Sequence, residues 1–420
     1  MDDGRPLMDR NGRAVLASKA VRAFGFGLVS VTLGLYLDAL GLDGPAIGFV
    51  LTASLIGTGL LTVLIALRGD HIGRRRLLVV GSLLMTLAAF IPLVGPSPLL
   101  LGVIGLTGMV AVTSNESTGL HAVDQAILPQ TVRAAGRTSA FARYSLVAFA
   151  ATAVGSLAIG PLVDLAEAAG LTGAQRYAPA FVVYALAGLT AAALATRLDA
   201  TAEVGERVET GFAIQRSRGT VARLSALFAI DSFAGGLVVQ SFLAYFFAAR
   251  FGLEPAAIGA LFFVASLLGA ASFPIAAWLA GRIGLVRTMV FTHIPASILL
   301  IAIALLPPDA VALAAVLFLA RALLASMDVP TRQSYVMAVV DSSERTATAG
   351  VTSLARSAAQ AAGPAVAGAL LVPLGLGVPL VACGVLKITY DLLLFAGFRS
   401  RPAPEEVRPP GASVERTGEA

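Results

Sequence analysis

Residues 46–76 read AIGFVLTASLIGTGLLTVLIALRGDHIGRRR. Residues 46–66 contain no charged side chain, whereas residues 68–76 contain four arginines and one aspartate. A helix that crosses the hydrocarbon core of a bilayer needs about 20 mostly apolar residues. This stretch therefore predicts a membrane-spanning helix that ends in a basic loop at one membrane surface.

The composition extends this interpretation to the whole chain. Of its 420 residues, 57% are hydrophobic and 13% are charged, whereas a soluble chain carries about 25% charged residues. The mean hydropathy is +0.84. A soluble fold would leave much of this apolar surface in water, so the composition predicts an integral membrane protein.

Twelve stretches are long and apolar enough to cross a membrane. Because backbone polar groups in lipid need internal partners, unbroken apolar stretches predict helices and not the alternating strands of a barrel. The predicted spans are 21–40, 46–66, 77–95, 98–120, 141–163, 178–196, 222–248, 256–279, 289–306, 310–327, 348–372 and 376–397.

The positions of Lys and Arg predict the orientation. The segments predicted on one side hold 24 of these residues, and the loops on the other side hold 2. Positive residues accumulate in cytoplasmic loops, so both termini are predicted to be cytoplasmic. The net charge of +5 is not taken as a sign of nucleic-acid binding, because the basic residues are concentrated in the loops of one membrane side. We therefore expect no nucleic-acid partner.

The predicted organisation is a cytoplasmic tail, a six-helix bundle, a cytoplasmic linker, a second six-helix bundle and a polar, Pro-rich tail expected to be disordered. These segments are 1–20, 21–198, 199–221, 222–398 and 399–420.

The two halves share short sequences at constant spacing. GLDGPAIG at 41–48 recurs as GLEPAAIG at 252–259, and Ile72-Gly73 recurs as Ile283-Gly284. Both pairs are offset by 211 positions. Two parallel six-helix units are typical of transporters, whose substrate site lies between the halves near the middle of the membrane.

The sequence lacks the residues and motifs that several kinds of binding and catalytic site require. A single cysteine, Cys383, excludes a disulfide framework and a thiolate metal site. The chain has no Gly-x-x-x-x-Gly-Lys-[Ser/Thr] phosphate loop, no His-Glu-x-x-His and no Gly-x-Ser-x-Gly. We therefore expect no enzymatic activity, no cofactor, no bound metal and no direct use of ATP.

The loop at 69–76 resembles that of the major facilitator superfamily, in which Asp-Arg-x-Gly-Arg-Arg follows the second span. This chain keeps Asp70, Gly73, Arg74 and Arg75 but has His71 in place of the first Arg. The resemblance covers nearly the whole chain and implies an all-α fold of twelve transmembrane helices. It also implies that the four kept residues form a cytoplasmic gate that braces the two halves. The alternative is a plain basic loop.

Further motifs resemble particular members of this superfamily. Gly363–Gly368 is similar to the Gly-Pro-x-x-Gly-Gly signature of its antiporters, but it lies in span eleven and not in span five. Asn115-Glu116 and Asp124-Gln125 in span four resemble a poorly characterised prokaryotic branch. This resemblance implies a bacterial cytoplasmic (inner) membrane and supplies no substrate.

Charged residues inside a membrane are costly and usually functional. The resemblance implies that spans one, four, seven and ten line the substrate cavity. The candidates for substrate binding and proton coupling are then Glu116, Asn115, Asp38, Asp231, Gln240, Arg321 and Asp328. Glu116 lies deep in span four and is the predicted proton-exchanging group. The alternative is a structural carboxylate paired with an arginine.

Other intramembrane charges have structural interpretations. Lys387 and Asp391 lie four residues apart and are predicted to neutralise each other. Asp328 and Arg332 have the same spacing, but Pro330 between them argues against a regular i,i+4 pair.

Two arginines occupy matching places in the two halves. Arg143 and Arg356 could bind an anion together, or each could pair with a carboxylate such as Asp124.

These observations predict a monomeric secondary active transporter that moves a small organic solute by alternating access. Proton-coupled efflux, as in an antiporter, is the expected mode, and uptake of a vitamin, sugar or other metabolite is the alternative. A membrane-embedded enzyme or scaffold would need clustered His or carboxylates at a membrane face. A channel is a further alternative, but the two duplicated six-helix halves argue against it.

Overall fold

A computed structural model describes residues 8–114, 118–132, 137–203, 214–341 and 344–399. Within these ranges the secondary structure is helical, without β-strands, as predicted. The helices of the first half are α1 Arg10–Ala39, α2 Gly44–Ile72, α3 Arg74–Ala88, α4 Pro98–Gly105, α5 Gly119–Ile127, α6 Arg137–Leu157, α7 Ile159–Ala168 and α8 Ala178–Ala195. Those of the second half are α9 Arg218–Leu237, α10 Gln240–Phe251, α11 Pro255–Ile283, α12 Leu285–Leu305, α13 Val311–Ala325, α14 Asp328–Val339, α15 Arg345–Leu374 and α16 Val378–Phe398.

Ten segments of the described chain are long and apolar enough to cross a membrane. The predicted fourth and eleventh spans are not among them. In the fourth, α4 ends at Gly105 and α5 begins at Gly119, and residues 115–117 lie outside the described ranges. The eleventh span is α15, a continuous helix that carries Arg345 and Arg356.

The first helix begins earlier than predicted. It starts at Arg10, where the Asp9 carboxylate accepts a hydrogen bond from the Gly12 N–H and caps the helix. Lys19 and Arg22 are therefore not in a free tail: their exposed fractions are 3% and 0%. The sequence does not show this, because two charges at the end of an apolar stretch usually mark the water boundary.

Spans seven and ten are each divided into two helices. Span seven breaks at Val238-Val239 between α9 and α10, and span ten breaks at Ser326-Met327 between α13 and α14. Pro330 lies in the first turn of α14, where backbone N–H groups have no partner within the helix. The proline is thus accommodated, and Asp328 and Arg332 form the i,i+4 ion pair that the sequence argued against.

The predicted duplication is visible in the backbone. Gly73 between α2 and α3 has φ +93°, and Gly284 between α11 and α12 has φ +88°. Gly41 and Gly252 have φ +76° and +65°. Both pairs keep the offset of 211 positions, and each occupies a conformation that a side chain disfavours. The two repeats therefore make the same turns.

Small residues bring the two halves together. We call the side where α1 begins and α16 ends the terminal face, and the other side the opposite face. Towards the opposite face, α2 packs on α15, α6 on α11 and α1 on α10. A Cβ on Gly48 would lie 2.4 Å from the Pro364 oxygen, and one on Gly34 would lie 1.8 Å from the Ser241 oxygen. Such close backbone approach stabilises helix pairs in lipid.

Carboxylates anchor both described ends of the central linker. The Glu203 carboxylate accepts hydrogen bonds from the N–H groups of Arg74 and Arg75, at 2.7 and 3.3 Å, and so caps α3. The Glu344 carboxylate, just before α15, accepts from three consecutive backbone N–H groups at 2.6, 2.8 and 2.9 Å. These donors are Gln215, Arg216 and Ser217. The linker thus joins two fixed points.

Replacing Glu344 with Gln should destabilise the protein in a pH-dependent way. The hydrogen bond from Gln215, with those from Arg216 and Ser217, lowers the pKa of Glu344 from its ordinary 4.5 although burial opposes the shift. A lowered folded-state pKa contributes stability above about pH 4.5, which is lost as the pH falls through the folded-state value. Thermal unfolding in detergent should show a lower Tm for Glu344→Gln at about pH 7 and a shrinking difference below about pH 4.5.

Glu254→Gln is the matched control. Glu254 precedes α11 but makes no capping hydrogen bond through its side chain, so this variant should follow the parent at every pH. A difference between Glu344→Gln and the parent that stays constant down to about pH 3 would contradict the anchoring by a carboxylate.

Candidate functional site

A cavity of about 430 Å³ lies between the two halves. Its size is within the usual range for small-molecule sites, about 300–1,000 Å³. The first half contributes Thr113, Ser114, Phe149 and Thr152. The second half contributes most of the wall, including Gln240, Phe262, Phe318, Arg321, Arg356 and Gln360.

The cavity contains two of the residues chosen from the sequence. Gln240 from α10 and Arg321 from α13 line it. Asn115 and Glu116 lie outside the described residues. They directly follow Ser114, which lines the cavity.

Three of the predicted carboxylates, Asp38, Asp231 and Asp328, are not part of the described cavity wall. Asp38 is exposed in the last turn of α1 and does not line the cavity. Asp231 and Asp328 are buried outside the cavity wall, with 5% and 4% of their surface exposed.

The break in span seven connects the two halves. The Gln240 side chain donates to the Ser30 Oγ at 3.1 Å, and the Ser241 Oγ donates to the Ser30 carbonyl at 2.8 Å. The Ser241 N–H, which lies in the first turn of α10, donates to the Val112 carbonyl at 3.2 Å. The Val112 carbonyl of span four thus satisfies a backbone donor that a helix start leaves free, and Ser30 of span one holds the side chains of Gln240 and Ser241.

A buried charge cluster occupies the second half. Lys387 Nζ on α16 is 2.5 Å from Asp231 Oδ1 on α9. Arg332 on α14 pairs with Asp328, and its Nη1 is 3.4 Å from Asp231 Oδ2. Asp231 therefore bridges two cations from different spans. This contradicts the predicted neutralising pair, because Lys387 contacts Asp231 and not Asp391.

His293 extends this cluster to Asp391. The His293 Nδ1 on α12 is 3.0 Å from Asp391 Oδ2, and its Nε2 is 3.4 Å from Lys387 Nζ. The exposed fractions of His293 and Asp391 are 4% and 0%. The sequence does not reveal this pair, because the two residues are 98 positions apart along the chain.

The first half holds a smaller charged network. Arg22 on α1 pairs with Asp124 on α5, and the Tyr144 hydroxyl donates to Asp124 at 2.8 Å. His121 Nδ1 lies 3.0 Å from the same hydroxyl. Arg143, one of the predicted partners of Asp124, is exposed instead. Asp124 follows the predicted fourth span at 98–120, and its partner Arg22 on another span could not be read from spacing.

The predicted gate loop contacts its own half. Gly73 connects α2 to α3, and the Arg74 guanidinium donates to the carbonyls of Ala202 and Ala126 at 3.3 and 3.4 Å. Glu203 holds the N–H groups of Arg74 and Arg75. Asp70 lies in the last turn of α2, and its side chain is outside the described part of the structure.

Comparison with known proteins agrees with this architecture. The uncharacterized membrane protein YJR124C of Saccharomyces cerevisiae is 25% identical over 422 residues, which cover 93% of this chain and 94% of the relative.

Solved structures share the fold at low sequence identity. The nucleoside transporter NupG has a TM-score of 0.73 at 13% identity, covering 92% of this chain and 99% of NupG. A D-xylose-proton symporter has a TM-score of 0.70 at 14% identity, covering 94% and 98%. A bacterial homolog of the human lysosomal transporter Spinster, inward-facing and occupied, has a TM-score of 0.71 at 16% identity, covering 95% and 98%.

The sequence model of the Major Facilitator Superfamily matches residues 15–364 and 224–418. The described helices, the duplicated turns and the cavity between two halves fit its twelve-helix fold. This multi-pass membrane protein is a transporter and not an enzyme, and the chain belongs to the Major Facilitator Superfamily.

Proposed function

We propose that the protein is a proton-coupled secondary transporter that moves a small organic solute by alternating access, in the direction of export. The cavity between the two halves carries this proposal, because its wall is built from both halves. Relative movement of the halves would then expose the cavity to either side in turn. The similarity of Gly363–Gly368 to the antiporter signature is what favours export over uptake.

The His293–Asp391 pair supports the coupling to protons. Asp231 and Asp328 contact the fixed cations Lys387 and Arg332, whereas the only hydrogen-bond partner of Asp391 among the described side chains is His293. Imidazole and carboxyl groups can both accept and release protons. One proton therefore decides whether this pair contains an uncompensated carboxylate, a state that is costly in lipid.

Other charged or titratable groups surround this pair on every neighbouring element. They are Asp231 on α9, whose Oδ1 lies 3.9 Å from His293 Nε2, and Lys387 and Tyr390 on α16, with Asp328 and Arg332 of the same cluster on α14. The cluster reaches the cavity through α9: Asp231 contacts Lys387, and the neighbouring Ser232 accepts a hydrogen bond from the cavity residue Arg356.

Asp391→Asn should abolish coupling and preserve binding. The amide keeps the shape of the side chain and a hydrogen bond to His293, but it cannot exchange a proton. The test uses proteoliposomes loaded with the pH dye pyranine, to which a panel of small organic solutes is added. At least one solute should trigger proton movement with the parent, and no solute should do so with the variant. Solute exchange at equal concentrations should persist in both, as measured with the labelled solute.

Two further variants make this experiment decisive. Asp164→Asn alters an exposed carboxylate on α7 and should behave like the parent. Glu116→Gln tests the candidate chosen from the sequence. If Asp391→Asn couples normally and Glu116→Gln does not, coupling belongs to Glu116. If both couple normally, coupling belongs to another carboxylate, with Asp38, Asp231 and Asp328 as the next candidates. If the parent itself moves no protons, an uncoupled or sodium-driven carrier replaces our proposal. Export and uptake are separated by the direction of the imposed proton gradient that drives the solute to accumulate inside the proteoliposomes.

We also propose that both termini face the cytoplasm of a bacterial inner membrane, which single introduced cysteines can test. The native Cys383 is buried and should not react. Gln215→Cys on the terminal face and Thr172→Cys on the opposite face are exposed positions. In intact cells a membrane-impermeant maleimide should label Thr172→Cys alone, because positive loops stay inside. Labelling of Gln215→Cys from outside would reverse the orientation.

The loop of Asp70, Gly73, Arg74 and Arg75 is proposed as the gate on the terminal face. Asp70→Asn should lower the transport rate several-fold and leave solute affinity unchanged, since α2 ends away from the cavity. Initial rates across a range of solute concentrations separate the two quantities. His71→Asn, in the same turn, is the control. An equal loss of rate and affinity, or no loss at all, would remove the gate role.

A further inference from the structure

Two guanidinium groups line the cavity. Arg321 extends from α13 and Arg356 from α15, and no Asp or Glu is present among the described residues of the cavity wall. The cavity is therefore cationic within the described part of the chain. Two positive charges would repel a cationic solute and would not strengthen the binding of a neutral one.

Neither arginine has a carboxylate partner among the described residues. Arg321 makes no hydrogen bond or ion pair with them, and Arg356 donates from its Nε to the Ser232 Oγ at 3.1 Å. Asp231 and Asp328, the carboxylates of the neighbouring cluster, are held by Lys387 and Arg332. The cluster therefore satisfies its own charges and leaves the cavity arginines free to bind a ligand.

Burying a guanidinium group without a counter-charge costs free energy, so its partner is expected to be a bound anion. Arg presents five N–H donors in a planar fork that matches a carboxylate or a phosphate with two parallel hydrogen bonds. By contrast, Arg22 in the first half has a carboxylate in contact, Asp124.

The rest of the wall indicates the remainder of the ligand. Phe149, Phe262 and Phe318 supply aromatic surface, and Gln240 and Gln360 supply amide donors and acceptors. We propose that the cavity binds an organic anion, a carboxylate or a phosphate ester with an apolar body, through Arg321 and Arg356. This inference rests on the proposed function, because it names the solute class of the same cavity.

The sequence analysis paired Arg356 with Arg143, and not with Arg321, as a possible anion site. Arg143 occupies the matching position in the first half, but it is exposed and does not line the cavity. It therefore serves as the matched control: an arginine of the same pseudo-symmetric position outside the proposed site.

Ligand-induced thermal stabilisation of the purified full-length protein in detergent tests the proposal. The probes are 1-naphthoate and 1-naphthyl phosphate, with 1-naphthamide and 1-naphthylmethylammonium as neutral and cationic counterparts. At least one anion should raise the Tm in a saturable manner, and the amide and the cation should not. The two anions distinguish a carboxylate site from a phosphate site.

Arg321→Gln and Arg356→Gln should each weaken anion binding at least about tenfold, since each removes a charge-assisted contact. Arg321→Lys keeps the charge without the fork and should recover part of the affinity. Arg143→Gln should bind like the parent. The Tm of each variant without ligand verifies folding.

Four results would overturn the proposal, of which three concern the parent and the arginine variants. They are no stabilisation by either anion, equal stabilisation by the amide, and unchanged affinity in both Gln variants. Anion binding by Glu116→Gln but not by the parent would also overturn it, because Arg321 would then be the partner of Glu116. Because binding needs no gradient, anion binding without proton-driven transport would refute the proposed function and leave this site intact.

Discussion

Hydrocarbon solvates neither a backbone N–H group nor a charge, and the rest of the structure depends on this constraint. Along most of the described chain, backbone groups are satisfied within helices. Buried charges are satisfied between helices. Asp231 contacts Lys387 and Arg332, so one carboxylate fixes α9, α14 and α16 relative to each other. His293 adds α12 through Asp391.

The two halves share their turns but not their chemistry. Gly73 and Gly284 make equivalent connections, yet the acidic residue of the loop, Asp70, occurs only in the first repeat. The first half contains the compact Arg22–Asp124 pair. The second half contains the larger cluster and contributes both arginines of the cavity. The duplicated backbone thus provides the two bundles, while the described charge chemistry of the cavity comes from one of them.

The interrupted helices lie where the halves meet. At the break of span seven, Gln240 and Ser241 bond to spans one and four of the other half. At the break of span ten, α14 begins with Asp328, whose partner Arg332 also reaches Asp231. A broken helix exposes backbone donors and acceptors that a continuous helix would use internally. The Ser241 N–H uses this freedom to bond to the opposite half, while side chains join the second break to the charge cluster.

The sequence by itself determined the membrane class, the helical fold, the duplication and the loop between α2 and α3. These depend on local hydropathy, on the spacing of Gly and on short motifs. It also placed Gln240 and Arg321 on spans that reach the cavity. Only the tertiary structure decided the partner of each charge: Lys387 meets Asp231 and not Asp391, and Arg22 meets Asp124. Spacing along one helix cannot reveal these pairs, because partners on different spans are brought together by helix packing, which a hydropathy pattern does not encode.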